Sequence, residues 1–244
     1  MNKNYKCIDG DKDKNSNLKS MKKYFKQKQE IDKELEKIIS PLIKNKELKF
    51  LDAGCGIGHV LNLLNKISPN SEFYGIDEIQ YLINEAKKIS ANNKNFHFKV
   101  QNIYKLSEKN FYDISINWKT ISWLPYYEKL LKILFDVTKK HIFLSSLFYD
   151  GDIDFEIKVR DYKSDIGKSD NFIFYNVYSL PKFKRFVKSL GAKKIHVYNF
   201  DIRKDIPKTK NDRMGTYTIT LKNGKKLQIS GAIVMNWKII QIDL

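Results

Sequence analysis

The stretch from Leu48 to Leu61 constrains the fold more than any other part of the chain. An apolar run leads into a turn that carries Gly54, Gly56 and Gly58, and an apolar pattern with helical spacing follows. This order predicts a buried strand, a tight loop and a helix. Because glycine has no Cβ, such a loop lets the main chain approach a bound molecule, to which the helix start offers N–H groups. The stretch therefore predicts an α/β domain that binds a ligand at this loop.

Two acidic residues narrow the choice of ligand. The loop has the spacing G-x-G-x-G and not the G-x-G-x-x-G of nicotinamide and flavin enzymes. Asp52 precedes the first glycine, where its carboxylate would repel a pyrophosphate but would suit a ligand that carries an ammonium group. The next short apolar run ends in Asp77, placed where a carboxylate can accept hydrogen bonds from both ribose hydroxyls. These features together indicate S-adenosylmethionine.

At these residues the chain resembles the class I S-adenosylmethionine-dependent methyltransferases. Asp52, Gly54, Gly56 and Gly58 match the first motif of that family, and Asp77 matches the second. The resemblance covers roughly residues 45 to 200. It implies a Rossmann-like α/β fold with a seven-stranded, mostly parallel sheet whose last strand is antiparallel. It also implies S-adenosylmethionine as cofactor and S-adenosylhomocysteine as product, whereas an α/β protein with a glycine-rich turn and no cofactor is the alternative.

Length and composition limit the other possibilities. A chain of 244 residues suits one large α/β domain with additional cap elements. The sequence has neither an apolar stretch of about 18 residues nor a signal-peptide pattern, so we expect a cytoplasmic protein that does not enter a membrane. The two cysteines give no disulfide framework and the four histidines are scattered, so we expect no metal site.

The net charge of +17 is compatible with three interpretations. A basic chain can bind nucleic acid or an anionic small substrate. The lysines, however, are spread along the whole sequence beside many Asn and Ile residues, as an AT-rich genome would impose on any protein. We therefore interpret most of the charge as a solvated surface, with an anionic small substrate ahead of nucleic acid.

The chain is predicted to divide into residues 1–44 and a methyltransferase domain of residues 45–244. Residues 1–17 have no periodicity, and a helical pattern follows them up to residue 44. In the resembled family such helices lie over the cofactor, and Tyr24 or Phe25 could close the pocket or simply pack. Two β-rich insertions, residues 150–178 and 201–231, are predicted to face the cofactor. The run from Ala232 to Ile242 is predicted to form the antiparallel last strand.

Further cofactor contacts are expected at the ends of strands two, three and four, because ligands of open parallel sheets bind beyond the carboxyl ends of the strands. Relatives often carry an acidic residue for the adenine amino group after strand three, where this chain has Asn102. An amide can still both donate and accept a hydrogen bond there. The predicted cofactor-binding residues are Asp52, Gly54, Gly56, Gly58, Asp77, Glu78, Ile79, Asn102, Ile103, Asn117 and Trp118.

The acceptor is less well defined by the sequence. No Asn/Asp-Pro-Pro-Tyr/Phe motif is present and no cysteine follows Cys55, which disfavours two large classes of nucleic-acid methyltransferases. Arginine suits planar recognition of carboxylate or phosphate, and the two insertions carry several of the few arginines. The predicted catalytic residues are Asp150, Asp152 and Tyr175, with Asp154 and His59 as further candidate bases. The predicted acceptor-binding residues are Tyr126, Arg160, Asn176 and Arg213.

The leading hypothesis is methyl transfer to N or O of a small polar, anionic metabolite by a monomer or homodimer. The segment from Tyr175 to Pro181 resembles methyltransferases of bacterial surface-polysaccharide and sugar pathways, which suggests a phosphorylated or sugar-nucleotide acceptor. The alternatives are an RNA (tRNA or rRNA) methyltransferase and a non-catalytic subunit that binds the cofactor. Salt dependence would separate the first two, because binding through many phosphates weakens steeply with salt.

Overall fold

The structure of this protein is a computed structural model, and it describes residues 14–160, 172–208 and 216–244. The helices of these residues are α1 (Lys14–Lys26), α2 (Glu30–Ile43), α3 (His59–Asn65), α4 (Gln80–Ile89), α5 (Glu128–Val137) and α6 (Leu180–Ser189). The strands are β1 (Lys49–Ala53), β2 (Glu72–Asp77), β3 (Phe96–Val100), β4 (Tyr112–Trp118), β5 (Thr138–Ser146), β6 (Phe148–Tyr149), β7 (Lys158–Val159), β8 (Ile173–Phe174), β9 (Tyr178–Ser179), β10 (Lys194–Asn199), β11 (Thr216–Thr220), β12 (Lys226–Ser230), β13 (Ile233–Val234) and β14 (Lys238–Asp243).

A seven-stranded sheet forms the centre of the protein, with the strand order β10-β14-β5-β4-β1-β2-β3. The strands from β1 to β5 pair in parallel, whereas β14 is antiparallel to both of its neighbours, β5 and β10. Apolar runs such as Phe50-Leu51 fit this arrangement, because a strand covered on both faces has no polar side. The predicted Rossmann-like sheet with an antiparallel last strand is therefore confirmed.

Helices cover both faces of the sheet, and alternate residues of one strand reach opposite faces. Phe50 of β1 packs in a cluster with apolar residues of α2, α3 and α4. Its neighbour Leu51 packs in a second cluster with residues of α5 and α6. The carboxyl ends of β1, β2 and β4 thus open at one edge between the two helical layers, which is where the candidate site lies.

The N-terminal helices lie on the α3 and α4 side of the sheet. In α2, buried Ile31, Leu35, Ile39 and Ile43 recur every four residues and so form one apolar stripe. The more polar α1 is held to α4 through side chains: Asn17 donates to the Tyr81 hydroxyl at 3.1 Å, and Lys22 contacts Glu85 at 2.7 Å. Within the described ranges, no helix is long and apolar enough to cross a membrane.

The strands of the first insertion are short, with two residues each in β7 and β8. In the first, β7 pairs with β8 and Phe155 bridges to Val177, while β9 pairs with β6 beside the main sheet. In the second insertion, which was predicted to be β-rich, β11 and β12 pair antiparallel as a hairpin.

The prediction that the run from Ala232 to Ile242 is a single strand is wrong. Its first part, β13, joins the hairpin, and only β14 enters the main sheet. The division has a local cause: the Asn236 side chain accepts a hydrogen bond from the Gln228 N–H at 2.9 Å, and the Met235 N–H donates to the Gln228 carbonyl at 3.0 Å. These bonds hold the chain against the hairpin until Trp237.

Candidate functional site

A cavity of about 950 Å³ opens at the carboxyl ends of the parallel strands. Its wall is formed by the loop after β1, the residues after β2 and β3, the end of β4 and part of the first insertion. Ligand cavities in proteins usually measure about 300 to 1,000 Å³, so this one has room for a nucleoside-sized ligand and a small second molecule. It lies at the edge where open α/β sheets bind ligands.

The glycine loop forms the floor of this cavity. Gly54, Gly56 and Gly58 all have left-handed backbone angles, with φ of 87°, 54° and 80°. A Cβ on Gly56 would meet only the end of the Met21 side chain, at 3.4 Å, whereas a Cβ on Gly58 would lie 2.6 Å from the Phe98 ring. Gly54 and Gly56 line the cavity, and Gly58 does not. Gly58 is thus required for packing beneath the loop.

Asp77, at the end of β2, lines the cavity beside this loop. One carboxylate oxygen accepts a hydrogen bond from the Gly56 N–H at 2.9 Å, and the other accepts from the Ile79 N–H at 3.0 Å. Two main-chain N–H groups therefore fix both carboxylate oxygens in place. The assignment of Asp77 to a ribose diol stays a prediction, now with the carboxylate placed at the cavity wall.

The adenine side of the predicted cofactor site is formed by residues that follow β2 and β3. Glu78, Ile79, Asn102 and Ile103 all line the cavity. The Asn102 oxygen accepts from the Tyr104 N–H at 2.9 Å, and its amide nitrogen donates to Glu78 at 3.1 Å. Both ends of the Asn102 amide are thus engaged within the protein. Glu78, which binds this amide, places a carboxylate at the same end of the cavity.

Two predicted cofactor residues, Asp52 and Asn117, lie behind the cavity wall and do not line it. The Asn117 amide nitrogen donates to the Ala53 carbonyl at 2.6 Å and so joins β4 to β1. Asp52 is only 1% exposed, and burial, with the nearby charge of Asp77 adding to it, raises the pKa of its carboxyl to about 8. Asp52 is therefore a buried carboxyl below the loop, and it does not reach the cavity where the expected contact with a ligand ammonium group would form.

The end of β4 brings in a carboxylate that the sequence did not reveal as part of the site. Asp32 of α2 accepts a hydrogen bond from Trp118 Nε1 at 2.8 Å and lies 3.3 Å from Lys119 Nζ and 3.6 Å from His59 Nε2. Trp118, Lys119 and His59 all line the cavity. Burial alone would raise the pKa of Asp32, but the neighbouring His59, the Lys119 charge and the Trp118 hydrogen bond outweigh it and hold that pKa well below its usual range.

The outer part of the cavity is aromatic and contains lysines. Trp123 packs against Tyr175, with ring centres 4.5 Å apart. Lys158 Nζ lies 3.5 Å from a Glu156 carboxylate oxygen. The residues that line this outer part are Trp123, Leu124, Pro125, Tyr126, Lys129, Glu156, Lys158 and Phe174.

The structure does not bring Asp150 and Asp152 to the cavity. After β5 the chain forms β6, which pairs with β9, and the acidic segment then lies beside α6. Asp150 contacts Lys238 at 3.2 Å, and Asp152 contacts Arg185 at 2.7 Å. Asp154 likewise binds Lys182. The sequence placed these carboxylates correctly after strand five but could not show which way the chain turns.

Tyr175 and Asn176 are close to the cavity but do not line it. Tyr175 is 3% exposed and hydrogen-bonded to Ser230, and burial raises the pKa of its hydroxyl, which makes it a poor base. The Asn176 amide bonds the main chain of Ile157 and Leu124.

The remaining predicted acceptor residues divide in three ways. Tyr126 lines the cavity, and Arg160 is exposed and does not line it. Arg213 lies outside the described residues, as does the Tyr24 side chain, whereas Phe25 borders a separate small cavity. The first insertion contributes Glu156, Lys158 and Phe174 to the wall of the main cavity, whereas no described residue of the second lines it.

Known proteins resemble this chain in sequence and in fold. Residues 44–170 match the family profile described as "Methyltransferase domain". A malonyl-[acyl-carrier protein] O-methyltransferase of Bacillus cereus is 32% identical over 88 residues, which are 36% of this chain and 32% of that protein. The chain thus matches about a third of the length of this relative.

Two solved structures share the fold over most of their length. The YcgJ protein of Bacillus subtilis has a TM-score of 0.57 at 14% identity, covering 86% of this chain and 97% of its own. Magnesium protoporphyrin IX methyltransferase of Synechocystis PCC 6803 with bound S-adenosylhomocysteine has a TM-score of 0.57 at 13% identity, covering 95% of both chains. At these identities the likeness shows the fold alone.

Proposed function

The chain belongs to the methyltransferase domain family, and we propose that it transfers the methyl group of S-adenosylmethionine to N or O of a small, polar, anionic acceptor. The predictions of a methyltransferase and of S-adenosylmethionine as cofactor are confirmed at the level of the family. The main support for placing this reaction in the cavity is the arrangement of its two ends. Asp77 is hydrogen-bonded to the glycine loop at one end, and lysines and aromatic rings line the other.

The residues of the cavity fit S-adenosylmethionine. The space over Gly56 would be narrowed by a Cβ, and the Asp77 carboxylate beside it is held by two main-chain N–H groups. Ile79 and Ile103 offer an apolar surface to a flat base, with Glu78 beside them as an acceptor for an amino group. Among the described residues, no group of His, Cys, Asp and Glu side chains is arranged to hold a metal ion.

When bound, S-adenosylmethionine supplies an electrophilic methyl group on a sulfonium. The task of the protein is then to align the acceptor atom and to exclude water. Trp118, at the end of β4, and Trp123, in the outer part, border the region between the two ends of the cavity. Their large rings limit the space available to water there.

The outer part of the cavity supports an anionic acceptor. Lys129 of α5 and Lys158 of β7 approach it from two different elements. A carboxylate or a neutral amine needs no general base, whereas a hydroxyl does. Among the described residues, Glu156 is the carboxylate that lines this outer part, and it is our candidate base for a hydroxyl acceptor. Within the anionic class, the resemblance from Tyr175 to Pro181 favours a phosphorylated or sugar-nucleotide metabolite of surface-glycan synthesis.

A second candidate is O-methylation of a carboxylate. It is favoured by the similarity to malonyl-[acyl-carrier protein] O-methyltransferases, which extends over about a third of their length. The same lysines would bind a carboxylate, and this nucleophile requires no base. In the first candidate the acceptor is a small molecule. In the second it is a small carboxylate-bearing group carried on a protein. Neither candidate has nucleic acid as its substrate.

The experiment is a transfer assay with methyl-labelled S-adenosylmethionine against matched acceptors. Phosphorylated sugars and sugar nucleotides are compared with their neutral sugars, malonyl-carrier protein with the unloaded carrier, and RNA is included. Label on an anionic small acceptor supports the leading proposal, label on the malonyl group supports the second, and label on RNA alone would refute both.

Variants connect the acceptor to the cavity. We expect Lys129→Ala to raise the KM of an anionic acceptor by about tenfold and to leave S-adenosylhomocysteine affinity unchanged. Lys132→Ala is the matched control, since Lys132 is exposed on the same helix and does not line the cavity. Equal KM values for the two variants would exclude Lys129 from the acceptor site.

A further inference from the structure

A buried carboxylate outside the family-matched region joins three side chains of the cavity wall. Asp32 belongs to α2 and precedes residue 44, where the family match begins. It is 2% exposed, and the groups that converge on it are Trp118 Nε1 at 2.8 Å, Lys119 Nζ at 3.3 Å and His59 Nε2 at 3.6 Å. A buried charge is stable only when paired and hydrogen-bonded, and Asp32 is both.

Lys119 is the cationic member of this cluster and reaches the cavity surface. Its backbone has φ of 61°, a left-handed conformation that costs a lysine about 1 kcal/mol or more. The N–H of Lys119 donates to Ser145 Oγ at 3.0 Å, and its ammonium group also contacts Gln29 of the loop before α2. The side chain keeps 24% of its surface exposed, and this surface borders the cavity. The ammonium group is therefore held between Asp32 and Gln29, in a side chain that lines the cavity.

The position of Lys119 along the sheet edge identifies the part of the ligand that it meets. The proposed function assigns the ribose to Asp77, at the end of β2, and the base to Glu78 and Asn102, which line the cavity at the ends of β2 and β3. In the opposite direction come β1 and then β4. The glycine loop approaches the β4 end closely, since a Cβ on Gly54 would lie 2.9 Å from Thr120. A cofactor with its ribose at Asp77 and its base beside Glu78 would extend its amino-acid end, with the α-carboxylate, toward this end.

We propose that Lys119 binds the α-carboxylate of the cofactor and that Asp32 is the positioning residue that holds its ammonium group at the cavity wall. This inference rests on the proposed function, because it assumes that the cavity holds S-adenosylmethionine. It assigns a specificity role to α2: the site distinguishes a cofactor that carries a carboxylate from one that lacks it. Charge-assisted hydrogen bonds such as this one are among the strong ones.

The test compares S-adenosylhomocysteine with its decarboxylated analogue, which lacks only the α-carboxylate. Calorimetric titration gives both affinities for the complete protein. We expect the wild type to bind S-adenosylhomocysteine at least about tenfold more tightly than the analogue, because a hydrogen bond to a charged group is lost. Equal affinities would overturn the inference and leave the proposed function intact, whereas absence of binding to either compound would refute both.

Variants assign the selectivity to these residues. Lys119→Met should lose affinity for S-adenosylhomocysteine by at least about tenfold and bind the analogue nearly as the wild type does. Lys129→Met removes another lysine of the same cavity and should leave the ratio of the two affinities unchanged. Asp32→Asn should lower that ratio by releasing Lys119. If Lys119→Met or Asp32→Asn weakens both ligands equally, its role is structural and the inference is wrong.

Discussion

The Asp77 carboxylate accepts a hydrogen bond from the Gly56 N–H at 2.9 Å, and this bond joins the end of β2 to the glycine loop. The two residues are 21 positions apart in the chain and belong to the two motifs on which the sequence interpretation rests. Their contact couples the Asp77 carboxylate, which is predicted to bind the ribose, to the conformation of the loop.

Removal of the Asp77 carboxylate should weaken cofactor binding. We expect Asp77→Ala to lower the affinity for S-adenosylhomocysteine by more than about tenfold, because hydrogen bonds to both ribose hydroxyls and to the loop are lost. Calorimetry measures this, and circular dichroism checks the fold. Glu72→Ala is the control, since Glu72 lies on the same strand, pairs with His97 and does not line the cavity. An unchanged affinity in Asp77→Ala would remove the ribose assignment.

The glycines of the loop should differ in their tolerance of a methyl group. Gly58→Ala places a Cβ 2.6 Å from the buried Phe98 ring at φ of 80°, and we expect it to lower the free energy of unfolding by at least about 2 kcal/mol. Gly56→Ala meets only the flexible end of Met21, so we expect a loss of about 1 kcal/mol. Urea unfolding measures both, and an equal or reversed order would contradict the structure.

Asp52 should make the ligand-free protein less stable as the pH rises. Its pKa is about 8 in the folded protein and 3.8 as its ordinary value, so between these values the folded state holds a proton that the unfolded state releases. Rising pH therefore favours unfolding across this interval. We expect Asp52→Asn to equal the wild type near pH 4 and to be more stable by more than about 2 kcal/mol near pH 9. Parallel stability curves would show that Asp52 ionises normally.

Asp243 should give the opposite dependence. It lies on β14, between His141 of β5, at 2.8 Å, and His196 of β10, at 3.0 Å. Burial acts to raise its pKa, but hydrogen bonds from Gln241 and from both histidines outweigh burial and lower it. Its stabilisation is therefore present above the ordinary value of 3.8 and lost as the pH falls through the lowered pKa. Asp243→Asn should be less stable than the wild type at pH 7, and the difference should narrow in acid.

The sequence predicted those parts of the protein in which local pattern and position agree. Apolar runs such as Phe50-Leu51 define the strands, and the motif residues Gly56 and Asp77 fall where the strand ends meet. The sequence did not reveal the role of Asp32 because its partners Trp118 and Lys119 are more than 80 positions away in the chain. One signal was available, since Asp32 lies beside Ile31 and three residues before Leu35 on the buried stripe of α2.

The acceptor side was predicted less well because it depends on the direction of loops. Asp150 and Asp152 follow β5 as expected, but ion pairs with Lys238 and Arg185 hold them outside the cavity. Glu156 and Lys158, a few residues later, line it instead. The number of residues after a strand end shows which side chains are near enough to reach a site. The three-dimensional path of the loop decides which of them line it.

Titration of the purified, nucleic-acid-free protein with S-adenosylhomocysteine tests the central claim most directly. Binding at one site with a dissociation constant of about micromolar, equivalent to about −8 kcal/mol, is the predicted result. It should be weakened by Asp77→Ala and preserved in Glu72→Ala. Absence of binding, or binding that requires RNA, would contradict the assignment of this cavity as a cofactor site.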